Sequence, residues 1–175
     1  ANISQFSEKR LRTYLSTLYW KIIEKALDHG LYVVVRPPGV CPGGIKVDGY
    51  YQDYLLKVWD IVSSNTNIKK HSGQVSIELA NEPVNIYDAD SLESARAPYD
   101  FFQPIVDKIR ANGFDGIIWV PGTGWQSNYT CYKSNPIEGY NIGYAVHAYV
   151  GWYNNSDENA NGETFIQEFG KAVPV

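Results

Sequence analysis

Four short apolar runs alternate with longer amphipathic stretches, and that alternation limits this chain to layered folds of parallel strands and helices. Residues 31–35 (LYVVV) are apolar and mostly β-branched, the pattern of a strand buried on both faces. Ahead of them Leu11, Leu15, Leu18, Ile22 and Leu27, with Tyr14, Tyr19, Ile23 and Ala26, recur every three or four residues. This spacing predicts one helix with a wide apolar stripe, ending at His29. Gly30 stands where such a helix needs a residue of positive φ to stop.

The unit then repeats. Asp48 is expected to cap a helix carrying Tyr51, Tyr54, Leu55, Val58 and Val62, which leads into a strand at 75–79. After a polar loop at 85–97 comes a helix of Phe101, Phe102, Ile105, Val106 and Ile109, closed by Gly113, and then a strand at 116–120. A loop rich in Gly, Asn and Tyr precedes the last apolar run, 142–149. Such an order predicts a parallel sheet clothed by helices. With no linker or shift of composition, residues 1–175 read as one domain. A closed eight-stranded α/β barrel typically takes about 250 residues and at least about 200. The chain has 175. It is therefore either an open α/β sheet or part of a barrel, and composition does not choose.

Other classes are excluded more simply. Fifteen basic and nineteen acidic side chains leave a net charge of −4, against the basic stripe of a nucleic-acid binder. No apolar stretch is long enough to span a membrane. The absence of Met and of a signal-peptide pattern at Ala1-Asn2-Ile3-Ser4 suggests a mature or excised segment. Cys41 and Cys131 are too few for a disulfide scaffold and lack metal-site spacing; one bridge or two free thiols are both open. Sequons at Asn2, Asn128 and Asn154 are common by chance.

In folds of this kind chemistry gathers just past the C-terminal ends of the strands. Those positions hold Arg36-Pro37-Pro38, Asn81-Glu82-Pro83, Pro121-Gly122-Thr123-Gly124-Trp125, and His147-Ala148-Tyr149 followed by Trp152. Period-two alternation puts Val75, Ile77 and Leu79 on one face and Ser76, Glu78, Ala80 and Glu82 on the other. In a barrel the second set faces the axis, with Glu82 nearest the rim, where a general acid belongs.

The segment Glu78-Leu79-Ala80-Asn81-Glu82-Pro83 resembles the Asn-Glu-Pro segment of glycoside hydrolase family 5, the cellulase family of the barrel glycosidases. His147-Ala148-Tyr149 is similar to that family's His-x-Tyr after the sixth strand, and the strand order between the two motifs agrees. The resemblance runs from about Tyr14 to the end. It implies an α/β fold of the (β/α)8 TIM-barrel type, here roughly strands three to six with flanking helices, a partial barrel. It further implies a secreted enzyme, an endoglucanase-like retaining hydrolase of β-1,4-linked glucan. There one carboxyl donates a proton to the leaving oxygen while a second, about 5–5.5 Å away, attacks the anomeric carbon. Glu82 takes the acid/base role, Asn81 contacts the sugar 2-hydroxyl, and His147 and Tyr149 hold the nucleophile or the sugar. Trp125 and Trp152, at the same rim, are candidate stacking platforms. The partner is a polysaccharide or oligosaccharide, with no nucleic acid, membrane, cofactor or metal, and open sheet edges invite self-association.

Gln167-Glu168-Phe169-Gly170 resembles the family's nucleophile motif at the end of the seventh strand. Residues 154–163, however, are nearly all polar and too few for a crossover helix with a face to bury. Phe165, Ile166, Phe169 and Val173 fall instead at helical spacing. Glu168 is then a helix residue and the nucleophile is expected beyond Val175; the alternative keeps Glu168 as nucleophile. The family's Arg after the second strand is missing, and Arg36 stands where it often has His. Rival readings are a mannanase or xyloglucanase, a carbohydrate-binding remnant without turnover, and an unrelated open sheet. Among bland assignments, Glu78 is a structural carboxylate paired inside the barrel, Trp119 is core, and Arg36 pairs with Asp48 or a loop carbonyl. His29 and His71 are helix-end or surface residues. Asp88, Asp90 and Glu93 form an acidic loop whose spacing matches no known calcium loop.

Overall fold

Ser7 opens the first helix by accepting the Arg10 N–H on its hydroxyl oxygen at 3.3 Å. The computed structural model describes residues 3–147. Helix α1 (Glu8–Tyr14) passes through one π-helical turn (Leu15–Tyr19) into α2 (Trp20–Asp28), so the expected helix is present but not regular. The carbonyl of Thr13 receives the hydroxyls of both Ser16 (3.0 Å) and Thr17 (2.7 Å). Such back-bonding competes with the helical ladder where the π turn inserts. The stripe is consequently split: Leu15, Trp20 and Ile23 are buried, while Tyr14, Leu18, Tyr19 and Ile22 are exposed. Gly30 has φ +75°, as the helix stop requires.

Strands β1 (Val33–Val35), β3 (Val75–Glu78), β5 (Ile118–Pro121) and β6 (Ile142–Ala145) form one parallel sheet in the order β1-β3-β5-β6. Its connections carry α3 (Tyr50–Ser64) with the short α4 (Thr66–Lys70), and then α5 (Ala97–Ala111). Register aligns Val35, Ile77, Ile118 and Ile142 in one row against the helices. The row on the other side is Glu78, Trp119 and Gly143, so Glu78 faces the barrel axis as its alternation predicts. Val75, Ile77 and Leu79 are essentially inaccessible to water.

Three expectations need correction. Residues 31–35 are not buried on both faces: Leu31, Tyr32 and Val34 are more than half exposed, because β1 is the edge of the sheet among the described residues. Trp119 faces the axis and stays partly exposed, while Val120 beside it is core. Asp48 is not the helix cap. It has φ +57°, Gly49 is the N-cap, and Gln52 reaches back from α3 to accept the Asp48 N–H at 2.6 Å. The periodic reading also missed β2 (Gly44–Lys46) and β4 (Asn85–Tyr87). This parallel pair ties the loop after β1 to the loop after β3.

The helix layer is pinned to the strand ends by polar bonds. Trp59 of α3 donates its indole N–H to the carbonyl of Leu79 at 2.9 Å, just before the Asn81-Glu82 turn. Pro104 lies inside α5 and cannot donate to the carbonyl of Asp100, four residues earlier. Gln52 does so instead, giving Nε2 to Asp100 O at 3.1 Å and to Phe101 O at 2.8 Å.

Candidate active site

Glu82 leaves β3 in a left-handed conformation, φ +53°, which an L-residue adopts only when its surroundings insist. The insistence comes from the loop after β5. Gln126 Oε1 accepts the Glu82 N–H at 3.0 Å, and the main chains of the two loops are stitched together. Gly124 N–H donates to Val84 O at 2.8 Å and Trp125 N–H to Pro83 O at 2.9 Å. Trp125 and Gln126 themselves have φ +61° and +63°. Tyr129, Tyr132 and Tyr144, all fully buried, pack beneath this loop. Part of the chain's 14% aromatic content is therefore structural support.

At the centre lies an imidazole between two carboxylates. His147 places Nδ1 3.0 Å from Glu82 Oε1 and Nε2 3.0 Å from Glu78 Oε1. Glu78 is the more enclosed acid, with 8% of its side chain exposed against 16% for Glu82 and 24% for His147. Glu78 is thus a carboxylate paired inside the barrel, but its partner is the candidate site itself.

Asn81 is buried next to Glu82, and Arg36 donates to its Oδ1. Among the described residues Arg36 therefore pairs with Asn81 rather than with Asp48 or a loop carbonyl, because the end of β1 lies beside the Asn81 turn in the parallel sheet. The main chain adds a further tie there, Cys41 N–H to Asn81 O at 2.9 Å. Beneath it the Cys41 thiol lies 3.3 Å from the Tyr51 hydroxyl. Burial pushes the Cys41 thiol up to about 11, the Tyr51 contact opposing and the Glu82 charge adding to the shift. Cys131 is raised to about 11, again chiefly by burial. Both cysteines are free thiols.

Trp125 presents a half-exposed indole on the loop that is stitched to the Glu82 turn. His29 and His71 close α2 and α4 as helix ends. Asp88 is occupied by main-chain N–H groups of Asp90 and Leu92, and no cluster of metal-ligating groups occurs among the described residues. Tyr149, Trp152 and Glu168 lie outside the described residues. The structure thus brings Asn81, Glu82 and His147 together and adds Glu78, Arg36 and Gln126. Of these, Gln126 escaped the sequence reading altogether. It directly follows Trp125 in the loop after β5, which was the one available signal. A groove of about 570 Å³ between the first helix and the β1 edge is lined by Leu15, Ile22, Val34 and other apolar groups. None of Asn81, Glu82 and His147 lines it.

The sequence model of the family described as Cellulase (glycosyl hydrolase family 5) matches residues 12–173. An endoglucanase of Bacillus sp. (strain KSM-635) is 31% identical over 141 residues, which cover 77% of this chain and 14% of that protein. Endoglucanase C of Evansella cellulosilytica is 29% identical over 161 residues, 78% of this chain and 18% of the relative. Among solved structures, the catalytic domain of Thermobifida fusca endoglucanase Cel5A superposes with a TM-score of 0.64 at 22% identity, over 93% of this chain and 52% of that one. A variant of the same domain in complex with cellotetraose gives 0.65 over the same shares. XacCel5A in complex with cellopentaose gives 0.61 at 18% identity, over 89% and 55%. The chain spans less than a fifth of the curated relatives it matches and about half of the solved chains. The structural likeness establishes a partial (β/α)8 barrel, and the four parallel strands correspond to it.

Proposed function

The chain belongs to glycosyl hydrolase family 5, and on that footing we propose that it carries the acid/base half of a site that hydrolyses β-1,4-linked glucan with retention. Glu82 is the general acid/base. It stands at the rim, held in a left-handed turn, with a carboxyl oxygen 3.0 Å from an imidazole nitrogen that can exchange a proton with it. That contact is the observation on which the reading rests. Asn81, held by Arg36, takes the role of contacting the sugar 2-hydroxyl.

Retention requires a second carboxylate about 5–5.5 Å from the first. Glu78 does not suit that role, since it is buried and its Oε1 accepts Gln126 Nε2 at 2.8 Å while facing the imidazole. An oxygen so engaged is a poor nucleophile. The attacking carboxylate is assigned outside the described residues, and a β-glucan oligosaccharide such as those bound by the solved relatives is the substrate class.

The test is release of reducing ends from carboxymethylcellulose by the chain and by Glu82→Gln. Loss of at least about a hundredfold in the variant is expected for a general acid. Equal turnover by both would remove Glu82 from the mechanism. Cello-oligosaccharide binding without turnover in the wild type would favour the binding remnant.

A further inference from the structure

Gln126 makes bonds whose polarity leaves no choice, and their consequence reaches the candidate acid through two other side chains. Its amide contacts Glu82 N–H (3.0 Å), which can only donate, and Ala145 O (2.9 Å), which can only accept. The orientation of the amide is thereby fixed: oxygen toward residue 82, nitrogen toward residue 145. The same nitrogen donates to Glu78 Oε1 at 2.8 Å. A carboxyl group accepts such a bond best through an oxygen that bears no hydrogen, so Oε1 is assigned as an acceptor only. His147 Nε2 lies 3.0 Å from it. Two lone pairs would repel at this distance, so the hydrogen is assigned to Nε2.

We propose that Gln126, acting through Glu78, is a positioning residue that fixes His147 as the Nε2–H tautomer and leaves Nδ1 to exchange a proton with Glu82. At 3.0 Å the Glu82–His147 pair then holds one mobile proton, either on the carboxyl as O–H to Nδ1 or on the ring as imidazolium beside a carboxylate. When that proton is lost, the remaining one stays on the Glu78 side. Glu78 is the more buried acid and is tied down by Gln126, whereas Glu82 lies nearer to water. A buried carboxylate stripped of a donor costs more than one that solvent can reach. The consequence for catalysis rests on Glu82 being the acid, but the tautomer does not.

The experiment is nitrogen NMR of the whole chain with ring-labelled histidine. The chain has three histidines, His29, His71 and His147, and the His147 signals are assigned by their loss in His147→Gln. With its ring neutral, His147 is expected to show a protonated Nε2 and a bare Nδ1. Glu78→Gln should keep that tautomer, since an amide oxygen in the same place accepts both donors. Glu78→Ala should move the proton wholly or partly to Nδ1, where Glu82 becomes the remaining acceptor. A wild-type ring protonated at Nδ1 overturns the proposal, as does a folded Glu78→Ala with the tautomer unchanged. Should Glu78→Ala not fold, the wild-type and Glu78→Gln spectra decide. None of these readouts depends on turnover, so a failed glycosidase assay and a failed tautomer assignment are separate results.

Discussion

The indole of Trp119 fills the space that a side chain at position 143 would occupy, and a β-carbon on Gly143 would fall 2.5 Å from Trp119 Cζ3. The two residues are register partners on β5 and β6, on the axis side of the sheet, in the same row as Glu78. The glycine is a packing requirement. Its neighbour's ring, more than backbone geometry, forbids a larger residue.

Gly143→Ala is therefore expected to displace Trp119 and to destabilise the chain by about 1–3 kcal/mol, the usual cost of overpacking. The urea midpoint should fall and tryptophan emission should shift. An unchanged midpoint would mean that the indole has room to move.

Gln52 compensates for Pro104. Replacing it with Leu keeps the volume but leaves Asp100 O without its donor and Asp48 N–H without its acceptor. Both bonds are partly buried, so a loss of about 0.5–1.5 kcal/mol for each is expected, read as a lower urea midpoint with an unchanged slope. A neutral substitution would show that water serves both groups.

The two thiols give stability a defined pH dependence. Burial raises both Cys41 and Cys131 from 9.0 to about 11. Between these values the unfolded chain has lost protons that the folded chain keeps, so stability falls with rising pH. The contribution is complete below pH 9 and is lost as pH climbs through about 11. Urea midpoints at pH 8 and pH 10.5 should differ in that sense, and Cys41→Ser with Cys131→Ser should reduce the difference. Native thiols should also react slowly with iodoacetamide at neutral pH, since the thiolate is the nucleophile.

Trp125 is half exposed, and its loop is fixed to the Glu82 turn by main-chain bonds. Trp125→Ala should weaken cellotetraose binding by roughly tenfold, about 1.4 kcal/mol of lost stacking, with little change in the urea midpoint. Titration calorimetry checks this. Unchanged affinity would place the sugar elsewhere.

Much of the layout was legible in the chain. Steps of three and four residues located α3 and α5, and the apolar runs located all four strands of the sheet. Parallel strands deliver their C-terminal ends to one side, so Asn81, Glu82 and His147 were expected together before any contact was known. The two errors of burial share a cause. The first helix was read as one stripe and residues 31–35 as fully buried, because periodicity reports which residues are apolar and not what covers them. The Asp48 cap failed because Gln52, four residues on, takes the Asp48 N–H and Gly49 starts the helix instead.

The sequence by itself determined the alternation of helix and strand, the order of the strand ends and the acid that tops β3. It did so because these follow from local period and from residue type. Tertiary structure alone decided that Gln126 touches Glu78 across 48 positions, that Arg36 holds Asn81 across 45, and that His147 bridges two carboxylates. Those contacts depend on sheet register and on left-handed turns at Glu82 and Gln126, whose strain is offset only by partners distant in the chain.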